Sequence, residues 1–216
     1  MKQLAMSSSP AGFWKRYVAY FIDVVLVYIV VELLSGLFFS AQDAGELDQL
    51  RTLLAALQNQ QALPSDPTAL LARTTDSLAR VLAFSSFAYV VIGGAYFALC
   101  ESSIWQATLG KRLLGIKVVN VDGARIGLGR ALARFFAAGL SWLSLNIGHA
   151  LAAMPPEHRA LHDHIASTRV ENADPTHRRM PLWAWLIVGA HALVFLLCML
   201  AVVLAVAVAL RPLGQF

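Results

Sequence analysis

The chain has 216 residues, of which 58% are hydrophobic and only 14% charged, with a formal net charge of +4. A soluble domain carries about 25% charged residues and cannot hide this much apolar surface, whereas a bilayer solvates it. The basic residues lie beside apolar runs rather than in a nucleic-acid-binding module, so the lipid bilayer is the expected partner and no nucleic acid is.

Residues 1–16 are short and polar and end in Lys15-Arg16. An apolar run then extends from Tyr17 to Phe39, interrupted only by Asp23 and Glu32. It is long enough to cross the hydrocarbon core and too long and too acidic for a cleaved signal peptide. Residues 40–80 are polar, with Leu47, Leu50, Leu53, Leu54 and Leu57 at helical spacing, which predicts an amphipathic helix. Pro64 and Pro67 break it, and Ser65 or Asp66 is placed to cap a second long helix. Val81–Leu99 is an uncharged second span, whose Gly93-Gly94 suits close helix contact in lipid. Cys100 and Cys198 are the two cysteines, and their positions form neither a disulfide framework nor a zinc cluster.

Residues 115–121 read as a strand, with Asp122-Gly123 as a hairpin-turn signal before Ala124-Arg125-Ile126; residues 167–171 read as another strand. Residues 115–126 and 167–171 are expected to pair on the same side of the membrane; strand edges are not left in hydrocarbon, so this small sheet belongs at the membrane surface or in water. The stretch 128–154 is open to two readings, one tilted crossing or a bent pair of half-helices that returns to its starting side. Trp183–Leu210 is a further span with tryptophans at one end and Arg211 at the other. The fold class is an all-α integral membrane protein with three to four hydrophobic helical segments and a small cytoplasmic β-hairpin. The expected units are a membrane domain over residues 10–172 with an external 40–80 insertion, a linker over 173–182 and an extra helix over 183–211.

Orientation follows from lysine and arginine counts. Residues 100–135 hold six (Lys111, Arg112, Lys117, Arg125, Arg130 and Arg134) and the N-terminal tail three (Lys2, Lys15 and Arg16), against three in the longer 40–80 loop. The positive-inside rule then puts the N-terminus and the hairpin in the cytoplasm.

Arg16 and Asp23 are seven residues apart, close to two helical turns, so both project from one face with their Cα atoms about 10 Å apart. An aspartate about 9 Å into an apolar run faces protein or a water-filled cavity and has a partner. The Gly110-Lys111 pair fails as a phosphate loop, because Trp105 stands where a glycine is needed and no Ser or Thr follows the lysine. Lys111-Arg112 is read instead as an anchor for anionic lipid headgroups or as a partner for acidic residues. His158, His162 and His164 surround Asp163 but lack the glutamate of a helical zinc-protease motif, so no metal is expected. Without a nucleophile–base pair or cofactor motif, neither an enzyme nor a cofactor is expected.

These strings together carry a resemblance: Ala11-Gly12-Phe13-Trp14-Lys15-Arg16-Tyr17 with Asp23, Trp105 to Arg112, Gly123, Arg130-Ala131-Leu132, Leu161-His162-Asp163 and Thr168. The sequence resembles the RDD family of bacterial membrane proteins over about residues 10–172, outside the 40–80 loop. That family is named for one arginine and two aspartates, matched here by Arg16, Asp23 and Asp163; Leu109 stands where a proline is often found. The resemblance implies a bacterial inner-membrane protein and a three-residue cluster of net charge −1 (one positive, two negative), with Lys111 as a possible fourth member. Two classes stay open. One is a small transporter or transporter subunit for a cation, a proton or an unknown small ligand. The other is a non-catalytic scaffold or accessory subunit of a membrane complex. Few spans for a lone carrier imply a homo-oligomer or a partner bound through the 40–80 loop.

Overall fold

The structure is a computed structural model that describes residues 9–38, 66–143, 147–155, 158–174 and 179–210, together with 48, 51, 54, 55, 58 and 176. Its elements in chain order are α1 (Phe13–Phe38), α2 (Pro67–Ser102), α3 (Leu109–Leu113), β1 (Ile116–Asn120), α4 (Leu128–Leu143), α5 (Ile147–Ala150), α6 (Leu161–Ile165), β2 (Thr168–Asn172) and α7 (Leu182–Leu210). A 3-10 turn, Leu151–Ala153, follows α5. Among the described residues, three helices are long and apolar enough to cross a membrane: Phe13–Leu37, Leu71–Ser102 and Leu182–Ala207. The protein is a membrane protein, mostly helical, with a two-stranded sheet at one end of its helices.

Each boundary has a local cause. Asp66 caps α2 by accepting from the Ala69 amide at 2.9 Å, and Pro67, which lacks an amide hydrogen, suits the first turn. Ser65, the other expected cap, lies outside the described residues. So do Leu47, Leu50, Leu53 and Leu57 of the expected loop helix, although Asp48, Arg51, Leu54, Ala55 and Gln58 are helical. Thr108 caps α3 by accepting from the Lys111 amide, and the helix ends where Gly115 adopts a φ of +64°.

In lipid, helices associate through packing and polar contacts rather than by escaping water. Accordingly, α1 meets α2 through Val27 and Val31 against Ala88, with Phe84 and Ile92 beside them. The glycine pair makes room for α4: a Cβ on Gly94 would come within 3.3 Å of the Phe135 ring. Ala131, Arg134, Ala137 and Ser141 form the buried face of α4, while Leu128, Phe136 and Leu140 face outward. Nearly all of α7 is exposed, as a lipid-facing helix should be, and it leans on α1 through Trp14–Trp185 and Phe21–His191 ring contacts.

The sheet decides between the two readings of 128–154. β1 pairs antiparallel with β2, from Ile116 opposite Asn172 to Asn120 opposite Thr168. Strands paired in one sheet lie on one side of the membrane, so the intervening segment returns to where it starts. The 16-residue α4 rises only about 24 Å, short of the ~30 Å hydrocarbon core, before α5 and the 3-10 turn. The expected Asp122-Gly123 turn forms, with Gly123 donating to the Asn120 carbonyl at 3.0 Å. Beyond the turn the chain does not form a strand; residues 124–126 run on to α4, and the partner of β1 is β2, 48 positions away. The chain before α1 extends the sheet, with the Ala11 amide donating to the Val170 carbonyl at 3.0 Å and Asn172 to Ser9 at 2.8 Å.

Candidate functional site

At the end of the bundle nearest the sheet, buried charges form one connected chain. Asp163 is wholly inaccessible. Its Oδ2 accepts from Arg16 Nη1 at 2.7 Å and from the Ala160 amide at 3.0 Å, which also closes the first turn of α6. Its Oδ1 accepts from Arg134 Nη1 and from the Thr168 hydroxyl at 3.3 Å. Arg134 also places Nε 3.1 Å from Glu101 Oε2, and Lys111 Nζ donates to Glu101 Oε1 at 2.8 Å. The order is Arg16–Asp163–Arg134–Glu101–Lys111, and it joins α1, α6, α4, α2 and α3. Alternating signs and shared hydrogen bonds are what make burial of five charges tolerable.

Asp23 occupies a separate niche. Its Oδ1 accepts from the Tyr96 hydroxyl at 2.7 Å and from the Gly110 amide at 2.8 Å, and its Oδ2 accepts from the Thr108 hydroxyl at 2.5 Å. Gly110 is required there: a Cβ would lie 2.2 Å from the Ala19 carbonyl oxygen, because α3 is pressed directly against the α1 backbone. Thr108 bridges the two groups, its oxygen lying 3.4 Å from Lys111 Nζ.

Beside the charges is a cavity of about 790 Å³. α2 packs against both α1 and α4, and the cavity fills the space between those two. Its walls are largely aromatic, with Phe13, Tyr17, Tyr20 and Phe21 from α1, Phe97 from α2 and Phe135 from α4. Arg16, Glu101, Lys111, Arg134, His149 and His162 supply its polar end. Burial, then Arg134, His149, Arg16 and Lys111 in that order, hold the His162 imidazole well below its usual pKa, so it is neutral near pH 7. Burial and Arg134 depress His149 likewise. His162 Nδ1 is buried without a hydrogen-bond partner among the described residues.

The sequence profile of the RDD family matches residues 10–167. The chain belongs to the RDD family. It is 34% identical over 165 residues to the uncharacterized protein YxaI of Bacillus subtilis (strain 168), covering 74% of this chain and 96% of YxaI. It is also 34% identical over 85 residues to the uncharacterized protein YckC of the same strain, covering 37% of this chain and 56% of YckC. No solved structure matches.

Of the residues singled out by the RDD resemblance, the structure brings Arg16 and Asp163 together directly, across 147 positions. Lys111 joins them through Glu101 and Arg134. Asp23 takes its three donors from Tyr96, Thr108 and Gly110, so the ion pairs run as a five-membered chain that Asp23 meets through Thr108. Lys111 is buried and paired with Glu101, whereas Arg112 is exposed and lies over the Trp105 ring at 4.3 Å. Two members of the RDD charge chain, Glu101 and Arg134, were not expected as site residues. A signal for the arginine existed: Ala131, Arg134, Ala138 and Ser141 share one helix face of small residues, the face that packs against protein.

Proposed function

We propose that this RDD protein is a small transporter or transporter subunit that holds a small ligand between α1 and α4. The observation that carries this reading is the ~790 Å³ cavity, within the roughly 300–1,000 Å³ of small-molecule pockets, with apolar walls and a few converging polar groups at one end. A bare cation is the less favoured cargo. Every carboxylate oxygen of Asp23, Glu101 and Asp163 already accepts a hydrogen bond or faces a cation within the protein, and an incoming ion would have to displace them.

Saturation of those carboxylates favours a second reading, in which the charge chain is a clamp and the protein a scaffold for a membrane partner. Native mass spectrometry of the detergent-purified chain separates the two. The transporter reading expects a retained small molecule that is lost in Gly139→Trp, because a Cβ at Gly139, which lines the cavity, meets open space. Proteoliposomes loaded with a pH dye, challenged with Na⁺, K⁺ or Li⁺, test cation exchange in parallel. No bound mass and no flux would leave the scaffold.

The location we propose is a bacterial inner membrane with the N-terminus and the sheet in the cytoplasm. Lys15, Arg16, Lys111, Arg112, Lys117, Arg125, Arg130, Arg134, Arg159 and Arg169 belong to the sheet end, against Arg51, Arg73 and Arg80 toward the other. Three spans are few for a lone carrier, so the transport reading brings with it an oligomer or a partner subunit.

A further inference from the structure

The cavity has a direction. Along α1 its lining runs from Phe13 to Val24 and along α2 from Glu101 back to Tyr89, separations of eleven and twelve positions, or about 17 and 18 Å of helix. That is slightly more than half of a ~30 Å hydrocarbon core. Its charged residues gather at the sheet end, and its aromatic and aliphatic residues extend toward the middle of the bilayer. Phe136, Ile147 and Val90, all exposed, form part of its lining, so the cavity is reached from the lipid side. A polar end at the membrane face, an apolar body one leaflet deep and a lateral opening are the dimensions of a lipid-like molecule standing in its leaflet.

The sign of its head is set by the lining. Arg16, Lys111 and Arg134 oppose Glu101 there, a net of +2; Asp163, behind the two arginines, reduces this to +1. Asp23 is turned to Tyr96, Thr108 and Gly110 and does not line the cavity. Unused donors remain at that end. Arg134 directs Nε to Glu101 and Nη1 to Asp163 and Thr168. Lys111 has three protons and spends one on Glu101 at 2.8 Å, with Thr108 at 3.4 Å. His162 Nδ1 is buried and unpartnered among the described residues. A carboxylate has the geometry to accept from guanidinium and ammonium donors together.

We propose that the cavity binds a single-chain anionic amphiphile, a long-chain carboxylate whose acid group meets Lys111, Arg134 and His162 and whose tail lies along the aromatic wall. This rests on the cavity reading above and adds the charge and shape of the ligand. The neutrality of His162 is compatible with it, since one imidazole nitrogen then remains a donor.

The test uses the purified full chain in phosphatidylcholine nanodiscs at pH 8 with a diazirine-bearing hexadecanoic acid as the probe. Photolabelling is expected on α1 and α4 peptides. Palmitate should suppress it at least tenfold at concentrations where hexadecanol, hexadecylamine and acetate leave it unchanged. Gly139→Trp, which touches no charged residue, should abolish labelling with no loss of thermal stability. Lys111→Met should erase the preference of palmitate over hexadecanol; where that variant fails to fold, the competitor series on the unaltered chain decides. If hexadecanol or hexadecylamine competes as well as palmitate, the anionic head is wrong while the cavity reading stands. If acetate competes equally, the tail is wrong. Absence of labelling with acid, alcohol and amine probes alike overturns both.

Discussion

Arg134 stands between Glu101 and Asp163, and removing it strands two buried carboxylates at once. Breaking a buried pair from one side costs about 3–5 kcal/mol, so Arg134→Ala should abolish accumulation of folded protein, measured as monodisperse yield from membranes. Arg134→Lys is not expected to restore it, because an ammonium cannot reach both carboxylates as the planar fork does. Normal yield from Arg134→Ala would mean that the charge chain holds nothing together. His162 supplies a pH dependence of defined sign. Its folded pKa is depressed by burial and then by Arg134, while an unfolded histidine titrates near 6.5, so acid protonates the unfolded chain first. The associated stability is full above about pH 6.5 and is lost as pH falls below it, by up to about 1.4 kcal/mol per pH unit for each such histidine. His149 acts in the same direction. His162→Gln should therefore flatten the acid limb of a thermal-denaturation profile between roughly pH 6.5 and 5, and an unchanged limb would exclude His162 from that role.

Among the elements, the contact between α3 and α1 is the least forgiving. A methyl at position 110 would have to displace the Ala19 carbonyl, which is backbone, and would also press on Asp23 Cγ at 3.0 Å. Overpacking costs about 1–3 kcal/mol and sometimes more, and Gly110→Ala should also loosen the Gly110 amide from Asp23. The expected result is a clear fall in Tm, with Gly139→Ala as a control that stays neutral or gains, since Ala is the better helix former. Equal behaviour of the two would contradict the close approach. This glycine shows where reading from sequence ended: Gly110-Lys111 was visible, but the need for glycine comes from a backbone 91 positions upstream. Glu101 was hidden for a related reason. Hydropathy ends the second span at Leu99, yet α2 continues to Ser102 and carries the glutamate inward. Long apolar helices and the two strands were legible because period and composition are local properties. The pairing of the two strands and the meeting of Arg16 with Asp163 were expected, the first from the strand pattern and the second from the family resemblance, whereas the parts played by Glu101 and Arg134 depend on positions tens of residues apart.

For the whole molecule, membrane residence was legible from composition alone, and sidedness is the property to test next. With Cys100 and Cys198 replaced by alanine, single cysteines at Gln58 and Gly123 can be probed with an impermeant thiol reagent in intact cells. The positive-inside distribution predicts labelling at Gln58 and protection at Gly123 until the cells are opened. The opposite pattern would invert the topology. The separation of Arg16 from Asp163 also gives the molecule a timetable. At about 5–20 residues per second of synthesis, the 147 intervening positions take roughly 7–30 s to emerge. During that interval Arg16, and later Arg134, sit at the membrane face without the aspartate that holds them in the finished fold, and β1 has no partner strand. A nascent chain halted before Asp163 thus lacks both the acceptor of its two buried arginines and the partner of β1.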